Sequence, residues 1–138
     1  MKKMILSSAM ILFFSSLIFA QQKHHQIVFD FTKGDTASFA TMMRQAKNIL
    51  NVDPNIKLEI VCHGPGLDLI ITDKTTVQKE ITELNGKFNV VFAACEATMK
   101  RRQIDKSQLL PFAIIVPVAN LEISSKQQEG WSYIKAGY

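Results

Sequence analysis

Cysteine is scarce in this chain of 138 residues, with only Cys62 and Cys95 present. Two cysteines cannot build a disulfide framework, so the fold has to rest on an apolar core. Dense basic stripes with interleaved aromatics are also missing, which excludes a nucleic-acid surface. After residue 20 no apolar run approaches the roughly 20 residues that a membrane-spanning helix needs. There is no phosphate loop of the G-x-x-x-x-G-K-[ST] type, no internal repeat and no low-complexity tract. No Ser–His–Asp arrangement can be read from the sequence.

The first twenty residues differ from the rest. Lys2 and Lys3 precede an apolar stretch from Met4 to Phe19, and Ala20 is a small residue at a plausible cleavage point. This reads as a secretory signal peptide, residues 1–20, ahead of one domain over 21–138. The alternative is an uncleaved membrane anchor, for which the stretch is short and serine-rich. No cysteine follows Ala20, which argues against a lipoprotein anchor. The expected location is therefore exported, periplasmic or secreted, with no membrane span left after cleavage. Loss of the two lysines lowers the formal charge from +4 to +2. The remaining 118 or so residues suffice for a core without disulfides.

Apolar runs and helical periodicities alternate along that domain. Strands are expected at Gln26–Phe31, Ile56–Cys62, Phe88–Ala93, Phe112–Val116 and Trp131–Lys135. Between them fall an amphipathic helix over Ala37–Leu50 capped by Asp35 or Thr36, and a helix capped by Asp73 and ended at Asn85–Gly86. Two further helices are expected, at Cys95–Gln103 and Ala119–Glu129. The alternation predicts a single three-layer α/β domain with a mostly parallel sheet. In such sheets reactive groups gather beyond the carboxyl ends of the strands. The loops Thr32–Thr36, His63–Gly66 and Ala94–Glu96 fall there.

Cys95 sits where an apolar strand meets a helix. A helix start favours a thiolate, and Lys100, Arg101 and Arg102 add positive potential, while Glu96 opposes it modestly. The plainer reading is a small core residue. His63, in the turn His63-Gly64-Pro65-Gly66, is either a proton carrier beside Cys95 or a turn residue. The N–H groups around Gly64 and Gly66 could hold an anion. Cys62 reads as core. A 2-1-3 strand order would place it roughly 10 Å from Cys95, two strand spacings, so two free thiols are expected rather than a disulfide. A zinc site from Cys62, His63 and Cys95 lacks a fourth ligand, and no metal or cofactor is expected. His24 and His25 read as a solvated tail.

Four segments carry a resemblance: AACEATMKRRQI after the third strand, VCHGPGLDLI after the second, LLPFAIIVPVANLEI around the fourth, and QQEGWSYIKAG at the end. Together they resemble the DsrE/DsrF-like sulfur-relay family, in its small exported branch, over Gln26 to Gly137. The resemblance implies an α/β/α fold of five mostly parallel strands, DsrEFH-like and flavodoxin-related in topology. It also implies a homo-oligomer, trimer or hexamer, and a cysteine that carries sulfane sulfur as a persulfide between a donor and an acceptor. The matching position is Cys95. His63 would then assist, with Gly64, Gly66, Glu96, Lys100 and Arg101 at the binding loops. Two other functions stay open on the residues alone: a small-ligand or anion-binding module with an inert Cys95, and a thiol redox sensor.

Overall fold

The computed structural model describes residues 25–137, so the expected signal segment and the inference of export lie outside it. Among the described residues no helix is long and apolar enough to cross a membrane. Five strands form one sheet: β1 (Gln26–Phe31), β2 (Lys57–Cys62), β3 (Val91–Cys95), β4 (Ile114–Val116) and β5 (Ser132–Ala136). Every pairing is parallel, and the order is β4-β3-β2-β1-β5. The helices are α1 (Thr36–Val52), α2 (Gln78–Phe88), α3 (Glu96–Arg102) and α4 (Ala119–Gln128).

The handedness of parallel crossovers explains how these layers are distributed. From β1 to β4 the chain steps across the sheet in one direction, and right-handed connections put their helices on a single face. Met42 of α1, Ile81 of α2 and Met99 of α3 accordingly share one core with Phe29, Phe31, Ile60 and Phe92. The step from β4 back to β5 runs the other way, so α4 lands on the opposite face. There Ala119 and Ile123 close a smaller core of Val28, Val61, Ala93, Cys95 and Val116. The first face is thus fully covered and the second is covered by α4.

This order corrects the expected 2-1-3 arrangement: β2, not β1, lies beside β3. Cys62 is paired with Ala94, so Cys62 and Cys95 occupy neighbouring strands. Both thiols are nonetheless free. They are one residue out of register, and a strand turns successive side chains to opposite faces. Cys62 therefore lies in the larger core and Cys95 in the smaller one.

Several boundaries also move. Helix α2 does not stop at Gly86 but runs to Phe88, and Asn89 ends it in the left-handed region at φ 55. The Asn85 side chain reaches past the cap to the Val90 carbonyl at 3.0 Å, which sets the entry to β3 three residues later than its apolar run suggests. Asp73 does not cap α2; its N-cap is Val77, whose N–H is held by the Thr75 hydroxyl at 3.4 Å. Phe112 and Ala113 belong to a turn closed by Ala113 N–H on the Leu110 carbonyl, leaving β4 with three residues. Asp35 caps α1 as expected, with its carboxylate accepting from Ser38 N–H at 2.8 Å.

Candidate functional site

Cys95 ends β3 and is the N-cap of α3, so its backbone is still extended when the helix begins. Alternation along β3 puts its side chain on the face of Ala93, under the start of α4. The thiol is almost buried, at 4% exposure. The Ala119 N–H donates to Cys95 Sγ at 3.4 Å. Burial alone would push this thiol up. The Thr98 side chain, the Ala119 N–H and the amides at the start of α3 favour the thiolate, outweigh burial and hold the thiol below the usual range. Donors that stabilise the charged form are what a nucleophilic thiolate needs.

Thr98 connects this thiol to the loop after β2. Its oxygen accepts the Gly64 N–H at 3.2 Å, and its side chain favours the Cys95 thiolate. Thr98 is itself buried. The loop is a 3₁₀ turn over Gly64–Ile70. Gly64 takes φ +54, and the Gly66 N–H returns to the His63 carbonyl at 3.0 Å. A Cβ on Gly66 would come within 2.4 Å of the Phe31 carbonyl oxygen, so only glycine lets the turn lie against the end of β1. The N–H groups of Gly64 and Gly66 are thus both engaged internally.

The basic run behaves unevenly. Arg102 clamps the turn, donating to the Gly64 carbonyl at 2.9 Å and to Asp68 at 2.6 Å. Lys100 pairs with Glu96 one helical turn back at 3.0 Å, on the exposed side of α3. Arg101 is exposed on the same helix. The charge that faces the loop is therefore that of Arg102, and the immediate donors to the sulfur are a hydroxyl and backbone amides. Cys62, His63 and Cys95 cannot converge on one metal ion, because Cys62 faces the other core. Its thiol is pushed up by complete burial.

His63 continues β2 in extended geometry, at φ −148 and ψ 170. It stands on the Cys95 face, one residue beyond the Cys62–Ala94 pair. Its Nε2 lies 2.7 Å from Asp30 Oδ1. The other oxygen, Asp30 Oδ2, accepts from Tyr133 Oη at 2.9 Å and from Lys135 Nζ at 3.0 Å. Burial would raise the Asp30 carboxyl, but the bonds from His63, Lys135 and Tyr133 bring it below the ordinary carboxylate value. Asp30, Thr98, Tyr133 and Lys135 join the site through the fold and were not among the residues singled out from the sequence. A signal for Asp30 was available: it is the lone charge in the apolar strand QIVFDF.

A parallel α/β/α domain that holds a buried thiol at the carboxyl end of an interior strand defines the class by fold and site. Within that class the chain belongs to the DsrE/DsrF-like family, whose model matches residues 23–136, and this family is of the sulfur-relay type. The fold is similar to that of MTH1491 from Methanobacterium thermoautotrophicum, described as a protein of unknown function. That match has a TM-score of 0.76 at 24% identity over 80% of this chain and 98% of the other. The YchN protein of E. coli is similar at TM-score 0.65 and 13% identity, over 81% of this chain and 98% of the other. The protein BT1422 from Bacteroides thetaiotaomicron, of unknown function, is similar at TM-score 0.63 and 18% identity, over 84% and 98%. No curated protein matches the chain.

Proposed function

We propose that this protein carries sulfane sulfur on Cys95. The observation that carries the reading is a thiol at the N-cap of α3 that accepts the Ala119 N–H at 3.4 Å and is held below the usual thiol range, in a sulfur-relay-type family. The Cys95 thiolate attacks the outer sulfur of a donor persulfide R–S–SH. A Cys95–S–SH bond forms, the donor S–S bond breaks, and R–S⁻ leaves. An acceptor thiolate then takes the outer sulfur and returns the Cys95 thiolate, as in thiol–disulfide exchange with one more sulfur. No net oxidation occurs in either step. The Pro117–Ala119 segment covers the sulfur, so loading requires it to shift.

The test is intact mass after incubation with a sulfane donor. Wild type and Cys62→Ser are expected to gain one sulfur, and Cys95→Ser none. An unchanged wild-type mass, or an equal gain on Cys95→Ser, rejects the carrier. The burial of Cys95 favours the second reading, a binding module with a packed and inert thiol, and the unchanged mass is its signature. Export through residues 1–20 and assembly as a homo-oligomer, trimer or hexamer, belong to the same proposal.

A further inference from the structure

We propose that Asp30 and His63 form the proton-transfer pair of the Cys95 site, with Asp30 positioning the imidazole and β5 holding Asp30. The inference rests on Cys95 being the reacting thiol, as proposed above. Three observations place the pair. His63 and Cys95 each extend their strand by one residue past a register pair, on adjacent strands and on the same face. Adjacent strands lie about 4.8 Å apart at the backbone, which sets the two residues side by side at the carboxyl end of the sheet. The His63 Nε2 is fixed on Asp30 at 2.7 Å, which leaves Nδ1 as the position for an exchanging proton.

The carboxylate is built for that task rather than left over. One oxygen serves His63 alone, and the other is taken by Tyr133 and Lys135 of β5. Lys135 balances the Asp30 charge, while the carboxylate accepts from Nε2 and so fixes the orientation of the ring and the tautomer of the neutral imidazole. The other groups around the two side chains are accounted for. From α3, Arg102 is spent on the Gly64 carbonyl and Asp68, Lys100 is spent on Glu96, and Thr98 serves the sulfur. From β2 and α4, Glu59 is spent on Lys126, which also meets Glu122.

The proton then has a closed path. When Cys95–S⁻ displaces R–S⁻ from a donor, the leaving thiolate takes a proton from the His63 imidazolium and departs as R–SH. On discharge, the acceptor thiol gives its proton to neutral His63 as its sulfur attacks the outer sulfur of Cys95–S–SH. The Cys95 thiolate and the imidazolium are both restored, so no proton is gained or lost over the cycle except those of the two thiols.

A plain salt-bridge network fastening β5 to β1 would give the same contacts, and the sign of one effect separates the two. As a bare charge, removal of Asp30 lowers the Cys95 thiol pKa. As a positioning group acting through His63, its removal raises it. The measurement is the ultraviolet thiolate titration of the intact protein, corrected with Cys95→Ser. Asp30→Asn and His63→Gln are each expected to raise the midpoint by about one pH unit, roughly tenfold in thiolate near neutrality. Asp30→Asn in the His63→Gln background is expected to add nothing. Tyr133→Phe, which keeps all charges, is expected to give a smaller rise and serves if Asp30→Asn fails to fold. A midpoint that falls or stays put in folded Asp30→Asn, or in Tyr133→Phe where that variant stands in, overturns the pair even if sulfur loading succeeds. A shifted midpoint without sulfur loading supports the pair and rejects the carrier.

Discussion

Thr98 does two jobs with one side chain, accepting from Gly64 N–H and favouring the Cys95 thiolate. Thr98→Val keeps the shape and removes both. The half-buried Gly64 N–H then loses its partner, which costs about 1 kcal/mol in urea unfolding. The Cys95 thiolate midpoint is expected to rise in the same variant, because a donor to the charged form is lost. An unmoved midpoint would mean that the Ala119 amide and the helix start suffice. Cys95 was legible in the sequence as a polarisable residue at a strand end before a basic run. Its actual partners were not, since Ala119 lies 24 residues away and reaches the sulfur only through the β4–α4 connection. The basic run was over-read for the same reason. Residue spacing puts Lys100 and Arg102 near the thiol, whereas side-chain direction gives one to Glu96 and the other to the turn.

At the element scale, the number and sequence of strands and helices follow from periodicity, and β1, β2 and β5 match their apolar runs to within a residue at each end. Strand order does not follow from it. Both the 2-1-3 order and the observed one satisfy right-handed crossovers, and nothing local in β1, β2 or β3 distinguishes them. Helix α4 was weakly patterned for a physical reason: Ala119 and Ile123 are its buried residues, and Lys126 supplies a polar anchor instead. Lys126 Nζ meets Glu59 at 3.1 Å beneath α4, and stands over the Trp131 ring at 4.8 Å. Glu59 is 1% exposed and its Oε1 has no partner among the described residues. Burial pushes the Glu59 carboxyl above its ordinary value of 4.5, with Lys126 offsetting part of the rise. The folded state therefore holds this proton more tightly than the unfolded one, so stability falls as pH climbs from 4.5 through the folded value. The lowered Asp30 carboxyl acts with the opposite sign: its contribution is lost only as pH drops from 3.8 downward. Urea midpoints measured above pH 4.5 thus separate the buried glutamate from Asp30. Wild type is expected to show the decline and Glu59→Gln a flattened profile. An unchanged slope in Glu59→Gln would assign the decline to another group.

At the scale of the whole molecule, the sheet is covered unequally. Three helices close the first face, while α4 alone covers the second, and apolar side chains remain outside it. Ile114 of the short edge strand β4, Val118 at the start of α4 and Leu121 on its outer side are exposed, Leu121 to 65%. All three lie on or beside the Val116–Ala119 connection whose amide meets Cys95. A homo-oligomer that used this surface would cover an edge strand, which isolated domains otherwise leave open to unwanted pairing. It would also brace the segment that covers the thiol. Leu121→Asp tests this without touching either core, because Leu121 contributes to neither. Light scattering on the eluting protein is expected to give a trimer or hexamer for wild type and a smaller species for Leu121→Asp. The variant should unfold in urea like a folded domain. If oligomeric wild type keeps its mass after the substitution, the subunits meet elsewhere. If wild type is monomeric, the exposed face is open in solution and the thiol is covered by α4 alone.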